Sequence, residues 1–377
     1  MVYFLSDNLV LRWLESPSLY NIERDELYEL DKESFEFLKA SIKGVDNSAD
    51  SSFINYCLEE GILSLEERKT RHPEISKSPE PSLRYLELQI TNRCNLLCKH
   101  CYIDDNDPSE LSIDDIKTVL EEFEEMQGLR VLITGGEPLL HNRFEELNKL
   151  LPLFSFRKVL LSNGLLLTRE RIKGLNVQEI QISIDGLEDS HDAIRGKGTF
   201  KKAIESIGYA KESGLDVSVA TIIHSKNLND LDRLGKLLSE MGIRSWNVDI
   251  PCNEGRLKKN AEFLLSPEEG GKYLGYGFGE DLHISTQGFG CGLHLMAITS
   301  KGEVAKCTFY KDGNVGTIKD GLRRCWQKIR PVRIEELRCD CEYIETCKGG
   351  CRYRAEILTG DPLGKDLYRC SYYNSWT

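Results

Sequence analysis

The sequence predicts an α/β chain in three parts: a small leading unit, six consecutive β/α units forming a parallel sheet, and a cysteine-rich closing unit. Two patterns carry that expectation. From Leu83 onward, short β-type runs alternate with amphipathic helical stretches, which calls for parallel strands joined by helical crossovers. Near residue 282 the alternation stops and cysteines take over. At 377 residues the chain also exceeds what one core usually organises, so two or three domains are expected.

In order, residues 1–68 form the first unit. Apolar stretches at 2–14 and 18–29 suggest a short β-meander, and DKESFEFLKASIKG and SADSSFINYCLEEGIL predict two short helices with N-cap residues and closing glycines. The proline- and charge-rich stretch EERKTRHPEISKSPEPSLR makes 69–82 a linker. Strands are predicted over 83–91, 129–135, 157–163, 179–185, 216–223 and 245–251. Between them, SIDDIKTVLEEFEEM places Ile113, Ile116, Leu120 and Phe123 on one helical face behind an N-cap at Ser112, and TFKKAIESIGYAKESG does the same with Phe200, Ala203, Ile204 and Ile207. The sheet, open or closed, should carry its functional loops at the C-terminal strand ends. This unit runs to 281, and a loop-rich, metal-stapled unit fills 282–377.

A net charge of −12 argues against general binding to nucleic acid or to an anionic membrane. No apolar run approaches the roughly 18 residues a membrane span needs. The opening MVYFLSDNLVLRW lacks the basic then apolar pattern of a signal peptide, so a cytoplasmic chain with reduced thiols is expected. Thirteen cysteines then point to metal ligation or catalysis rather than disulfides. Ten fall into two groups, at 94–101 and 291–370; Cys57, Cys252 and Cys325 stand apart.

CNLLCKHC, directly after the first strand of the array, puts three thiols on one loop. Three thiolates can hold three corners of a [4Fe–4S] cubane and leave the fourth iron open. Zinc would recruit a fourth ligand, for which His100 is available but sits beside Cys101 on a tight loop. The spacing Cys94-x3-Cys98-x2-Cys101, with His100 before the last cysteine, resembles the radical S-adenosylmethionine (SAM) signature. That resemblance implies a partial (β/α)6 TIM-like barrel, a SAM-binding [4Fe–4S] cluster and a 5′-deoxyadenosyl radical that removes hydrogen from unactivated C–H bonds. It also implies a SAM pocket drawn from later strand ends. Gly135, Gly136, Glu137 and Pro138 of TGGEP would meet the methionine amino group. Ser162 and Asn163 of LLSNG, Ser183 and Asp185 of ISIDG, and Arg195 of HDAIRG would line the same cavity, with His100 and Tyr102 flanking Cys101. Each of these turns is common alone; together they span residues 84–256 in the family's order.

Cys291, Gly302 and Cys307, then Cys339-x-Cys341-x5-Cys347-x3-Cys351 and Cys370, resemble the SPASM domain, departing from it in the single residue between Cys339 and Cys341. The resemblance implies two auxiliary [4Fe–4S] clusters, three in all. Cys291, Cys307 and Cys351 would hold the inner one, and Cys339, Cys341, Cys347 and Cys370 the outer one. No cysteine lies between Cys291 and Cys307, so the inner cluster's fourth iron is expected to be open to a substrate thiolate or else taken by Cys252, Cys325 or a non-cysteine group. A structural zinc knuckle is the other use of such thiols. Cys252, at the barrel mouth, is the candidate catalytic residue as a hydrogen-atom donor, and it can also ligate iron; Cys57 and Cys325 fit core packing. The first unit resembles the PqqD-type winged-helix-like peptide-recognition element, which takes up a leader peptide as an added strand; a dimerisation or capping domain would share its pattern. The function implied is modification of a ribosomally made precursor peptide, by a thioether or C–C crosslink, with a reducing flavodoxin or ferredoxin as electron donor. Peptide epimerisation, sulfatase-type Cys or Ser oxidation, tetrapyrrole side-chain processing and a non-enzymatic iron–sulfur carrier are the alternatives.

Overall fold

The computed structural model describes residues 1–46, 50–103, 107–279, 288–310 and 315–374. The expected boundary at 281/282 and the acidic residues Asp104 and Asp105 lie outside them.

The first unit is a meander and a helical pair. Strands β1 (Phe4–Leu5), β2 (Leu9–Trp13), β3 (Pro17–Asn21) and β4 (Glu26–Glu29) precede helices α1 (Lys32–Ser41) and α2 (Ser51–Glu59), and β5 (Leu63–Ser64) returns to pair with β1. Strands β2–β3–β4 form an antiparallel sheet. Asp31 and Asp50 cap the helices by accepting from Ser34 N and Ser52 N, satisfying otherwise orphaned amides. Leu5, Leu9, Leu11, Leu19, Phe35, Leu38 and Ile54 make one small core.

The array follows as β6 (Tyr85–Thr91), α3 (Ile113–Glu125), β7 (Arg130–Gly135), α4 (Phe144–Leu150), β8 (Arg157–Ser162), α5 (Arg169–Lys173), β9 (Glu179–Ser183), α6 (Glu188–Arg195), α7 (Thr199–Glu212), β10 (Asp216–Ile222), α8 (Leu231–Glu240) and β11 (Ser245–Asp249). All neighbouring pairs from β6 to β11 are parallel, in sequence order. Leu86, Leu88 and Ile90, with Ile180 and Ile182, belong to the core under the helices. Strand alternation puts Gln89, Gln181 and Ser183 on the opposite, inner face, where they reach the enclosed cavities. Ser112 caps α3 by accepting from Asp115 N at 3.0 Å.

After α9 (Pro267–Gly271), the chain returns to the sheet. Strand β12 (Leu295–Ile298) pairs with β6 in parallel, and β13 (Glu303–Ala305) and β14 (Gly316–Thr317) extend it antiparallel. Among the described residues the sheet thus has nine strands, in the order β11-β10-β9-β8-β7-β6-β12-β13-β14, with no pairing between β11 and β14 to close it. Helices α10 (Leu322–Lys328), α11 (Ile344–Cys347), α12 (Arg352–Thr359) and α13 (Leu367–Asn374) complete the chain. A separate loop-rich closing unit was the expectation; its strands β12, β13 and β14 continue the barrel sheet instead.

The first unit covers the N-terminal mouth of the barrel. Arg130, Arg157, Glu179 and Asp216 open β7, β8, β9 and β10. Arg157 donates to Ile22 O and Glu23 O at 3.0 and 2.8 Å and pairs with Glu179 and Asp216 at 2.9 and 2.5 Å. Asp25, buried at the β3–β4 turn, pairs with Arg130 and accepts from Tyr20 Oη. Charges buried this deeply hold together only because each has a partner. The proline-rich connector is strapped along β2: His72 Nε2 accepts from Leu11 N at 2.9 Å, Ser78 N donates to Trp13 O at 2.8 Å, and Glu15 pairs with Arg84 at 2.7 Å. All of this lies opposite the C-terminal strand ends.

Candidate active site

At those C-terminal ends β6 breaks register between Gln89 and Thr91 and turns into the three-thiol loop. Cys94 is exposed, Cys98 buried and Cys101 half-buried, and all three face one cavity of about 300 Å³. Backbone contacts from three other strand ends hold the loop. Gly136 N and Glu137 N, after β7, donate to Thr91 O and Arg93 O at 2.8 and 2.7 Å. A Cβ at Gly136 would stand 2.4 Å from Arg93 O, so only glycine allows that approach. Lys99 N donates to Ile194 O at 2.9 Å, and after β11 Arg256 donates through its backbone N to Cys101 O at 2.9 Å and through Nε to Cys98 O at 3.0 Å.

Leu96 N donates to Cys94 Sγ at 3.4 Å. Burial raises the Cys94 and Cys98 thiols, Cys94 to about 11, while Arg195 and Arg256 beside Cys98 pull it the other way. Three thiols reach the cavity from one loop, and the rest of the wall mixes glycine, amide and hydroxyl groups with Arg195, Arg256, apolar side chains and the Cys252 and Cys351 thiols. That donor set fits a [4Fe–4S] cluster with one iron left for SAM.

The expected SAM-pocket residues separate into two groups. Gly135, Gly136, Ser162, Asn163, Ser183, Arg195, His100 and Tyr102 line the cavity. Glu137 and Pro138 do not. The Glu137 carboxylate is fully buried and accepts from Ser162 Oγ, Asn163 N and Leu139 N, so it ties the β7 end to the β8 end instead of facing a ligand; burial pushes it up to about 7. Pro138 is buried at the start of a single 3-10 turn. Asp185 is buried behind the wall, bonded to Arg195 Nε at 2.5 Å and Ile222 N at 2.8 Å. Burial acts to raise this carboxyl, but Arg195, foremost among several neighbours that act together, holds it well below the usual range. The pair fixes the Arg195 guanidinium at the cavity, and Arg195 in turn stands 3.5 Å from His100 Nε2. His100, pushed down to about 3 by burial, is neutral, and its Nδ1 has no hydrogen-bond partner.

Thr134, Gln181, Ile222, Asp249, Arg256 and Phe309 also line the cavity and were not anticipated. Gln181 was findable: in EIQIS strict alternation places it on the same face as Ser183. Beside this space lies a larger cavity, about 660 Å³, sharing Tyr102 and reaching Cys307 and Thr308. Tyr102 stacks near Phe309 (5.0 Å), and Phe309 near Tyr353 (5.6 Å), an aromatic row from the three-thiol loop to the closing unit.

The other thiols gather in two sets. Burial, with the Cys347, Cys339 and Cys341 thiols beside it, pushes Cys370 up to about 11. Burial together with Cys291 pushes Cys307 up to about 12, and burial and Cys351 raise Cys291. Cys252 joins Cys351 on the wall of the same cavity. Among the described residues no three His, Cys, Asp or Glu side chains close around a point as they would around one ion. Zinc draws its thiolates to about 2.3 Å, whereas a cubane spreads them over four irons. Cys57 is buried in the first core, and Cys325 is buried in α10 with its thiol on Thr317 O at 3.5 Å. Among the described residues no helix is long and apolar enough to cross a membrane.

Residues 88–238 match the model of the radical SAM superfamily. An AdoMet-dependent heme synthase of Nitratidesulfovibrio vulgaris is 26% identical over 352 residues, covering 80% of this chain and 95% of that one. The mycofactocin maturase MftC of Mycolicibacterium smegmatis is 27% identical over 318 residues, covering 74% and 80%. Among solved structures, Streptococcus suis SuiB bound to its precursor peptide SuiA superposes with a TM-score of 0.63 at 16% identity, over 97% of this chain and 98% of that one. At that identity the likeness to SuiB shows the fold alone.

Proposed function

We propose that this chain, a radical SAM enzyme, modifies a ribosomally made precursor peptide bound through a leader at the first unit. When bound, the cluster and SAM supply a 5′-deoxyadenosyl radical that can take hydrogen from an unactivated C–H bond. The chain's own residues hold and aim. Gly135, Gly136 and Ser183 offer backbone and hydroxyl groups to SAM, Arg195 presents a fixed cation, and the enclosing strands keep water from the reacting carbon. The larger cavity, opening through Tyr102 and Thr308, is the place for the peptide segment that reacts. Cys291, Cys307 and Cys351, and separately Cys339, Cys341, Cys347 and Cys370, would hold two auxiliary clusters.

The observation that carries the peptide reading is the edge of β4, which among the described residues pairs with β3 alone. Leu30 N donates to Pro17 O at 2.8 Å, so by antiparallel alternation the amides of Glu29 and Leu27 face away from β3 and can take an added strand. A polar groove of about 540 Å³, lined by Glu23, Arg24, Glu26, Asp216 and Arg244, runs beside the start of that edge. Charges around the larger cavity are paired, Lys258 with Glu254 at 2.6 Å and Lys301 with Asp107 at 3.0 Å, which suits a peptide better than an anionic macrocycle.

Tetrapyrrole processing is the second reading, favoured by the likeness to the heme synthase over most of both chains. Two incubations separate them. Co-expression with a candidate precursor peptide should yield a product lighter by two hydrogens, the mark of a crosslink. Iron-coproporphyrin III, given to the reconstituted enzyme with SAM and dithionite, should come back unchanged. A decarboxylated porphyrin and an unaltered peptide would establish the second reading. Glu29→Pro removes one outward amide without breaking the β3–β4 ladder, so it should weaken peptide binding about tenfold while SAM cleavage persists. Equal binding by the variant would remove the leader from this edge.

A further inference from the structure

Cys252 follows β11, the last barrel strand, and belongs by sequence to neither cysteine group. We infer that it is the fourth ligand of the inner auxiliary cluster, joining Cys291, Cys307 and Cys351 and leaving no iron of that cluster open. The inference rests on the two-cluster reading above.

Three observations carry it. Cys252 and Cys351 line the same cavity, so a fourth sulfur already stands on the side of the inner set that faces the three-thiol loop. That placement is built from both sides. Arg354, on α12 three residues after Cys351, pairs with Asp249 at the end of β11 and with buried Asp366 at 3.0 Å; Asp366 also accepts from Cys351 N at 2.8 Å. This rivets the strand end that carries Cys252 to the turn that carries Cys351. Nearby, Tyr368 Oη on α13 donates to Leu265 O at 2.6 Å, and α9 packs so closely on α13 that a Cβ at Gly271 would stand 2.5 Å from Tyr368 O. Finally, the other two cysteines outside both groups are spent elsewhere: Cys57 is buried in the core of the first unit, and Cys325, in α10, is bonded to Thr317 O.

The assignment changes the chemistry expected. An open iron could bind a substrate thiolate and lower its pKa; a fully thiolate-ligated cluster exchanges electrons and offers no iron to substrate. Because Cys252 and Cys351 both border the SAM cavity, such a cluster would lie within electron-transfer reach of the substrate radical.

The test uses the full chain with Cys94, Cys98 and Cys101 changed to Ala, so that only auxiliary clusters form. Reconstituted anaerobically, it should hold about eight irons and show no spectral change when cyanide is added. Adding Cys252→Ala should lower the count to about seven or fewer, give a three-iron EPR signal on mild oxidation, and make the remaining cluster respond to cyanide. Cys252→Ser, close in size, guards against misfolding: with the melting temperature unchanged, its Mössbauer spectrum should shift one iron site, and Cys325→Ala should shift none. A cyanide response in the parent, or identical spectra with and without Cys252, would overturn the assignment. Absence of iron from the three-alanine parent would instead overturn the two-cluster reading, and the assignment with it.

Discussion

Gly255 shows how much the site depends on single residues. Its φ of +57° favours glycine, and a Cβ there would stand 2.4 Å from Cys101 O. Alanine at 255 must therefore push the three-thiol loop or lose the Arg256 clamp. Gly255→Ala should slow SAM cleavage by about tenfold or more, roughly 1.4 kcal/mol of lost stabilisation. Gly360→Ala, at φ +74° with nothing within 4 Å, carries the backbone strain alone and should leave cleavage unchanged. Formation of 5′-deoxyadenosine checks both. At this scale the thiol spacing of the loop was legible because the motif sits inside one loop. The direction of Glu137 was not: TGGEP fixes a turn, but whether the carboxylate faces ligand or neighbour depends on Ser162 and Asn163, one β/α unit away.

At the scale of elements, all six barrel strands were legible as short β-type runs between amphipathic helical stretches; in β6 and β9 the alternation of apolar helix side and polar inner side is explicit. Strand β12 escaped that reading. Four residues, LMAI, show no period, and their pairing with β6 joins segments some two hundred residues apart. The connector was legible as a break but not as a strap, because His72 meets Leu11 only in three dimensions. That contact carries a pH dependence. Burial pushes His72 down to about 4 from its ordinary value near 6.5. Its neutral Nε2 accepts from Leu11 N and stops accepting when protonated. The folded state therefore binds fewer protons than the unfolded one between those values, and stability falls as pH drops from about 6.5 through 4. His72→Gln keeps an acceptor without titrating. The melting temperature of the natural chain should fall relative to this variant across that window, by the equivalent of roughly 2–3 kcal/mol at most. Parallel curves would mean that the strap does not depend on His72.

The molecule as a whole has two ends. The first unit seals the N-terminal mouth through Asp25, Arg130 and Arg157, and the SAM cavity opens at the other. Sequence could not show this, because the ion pairs join residues more than a hundred positions apart and no local pattern couples them. The separation bounds the substrate. Strand β6 has seven residues, so the ends lie at least about 23 Å apart. A peptide held at β4 and reacting at the cavity must span that distance outside the helices, needing about ten residues or more between leader and modified residue. Shortening the spacer of a modified peptide below about seven residues should abolish modification without weakening binding. Full modification with such a spacer would place the leader elsewhere.

Everything above depends on the three-thiol loop being the site where SAM is cleaved. Anaerobically reconstituted protein, given SAM and dithionite, should form 5′-deoxyadenosine by liquid chromatography and mass spectrometry. The chain with Cys94, Cys98 and Cys101 all changed to Ala should form none while keeping its remaining iron. Undiminished 5′-deoxyadenosine from that triple variant would contradict the account.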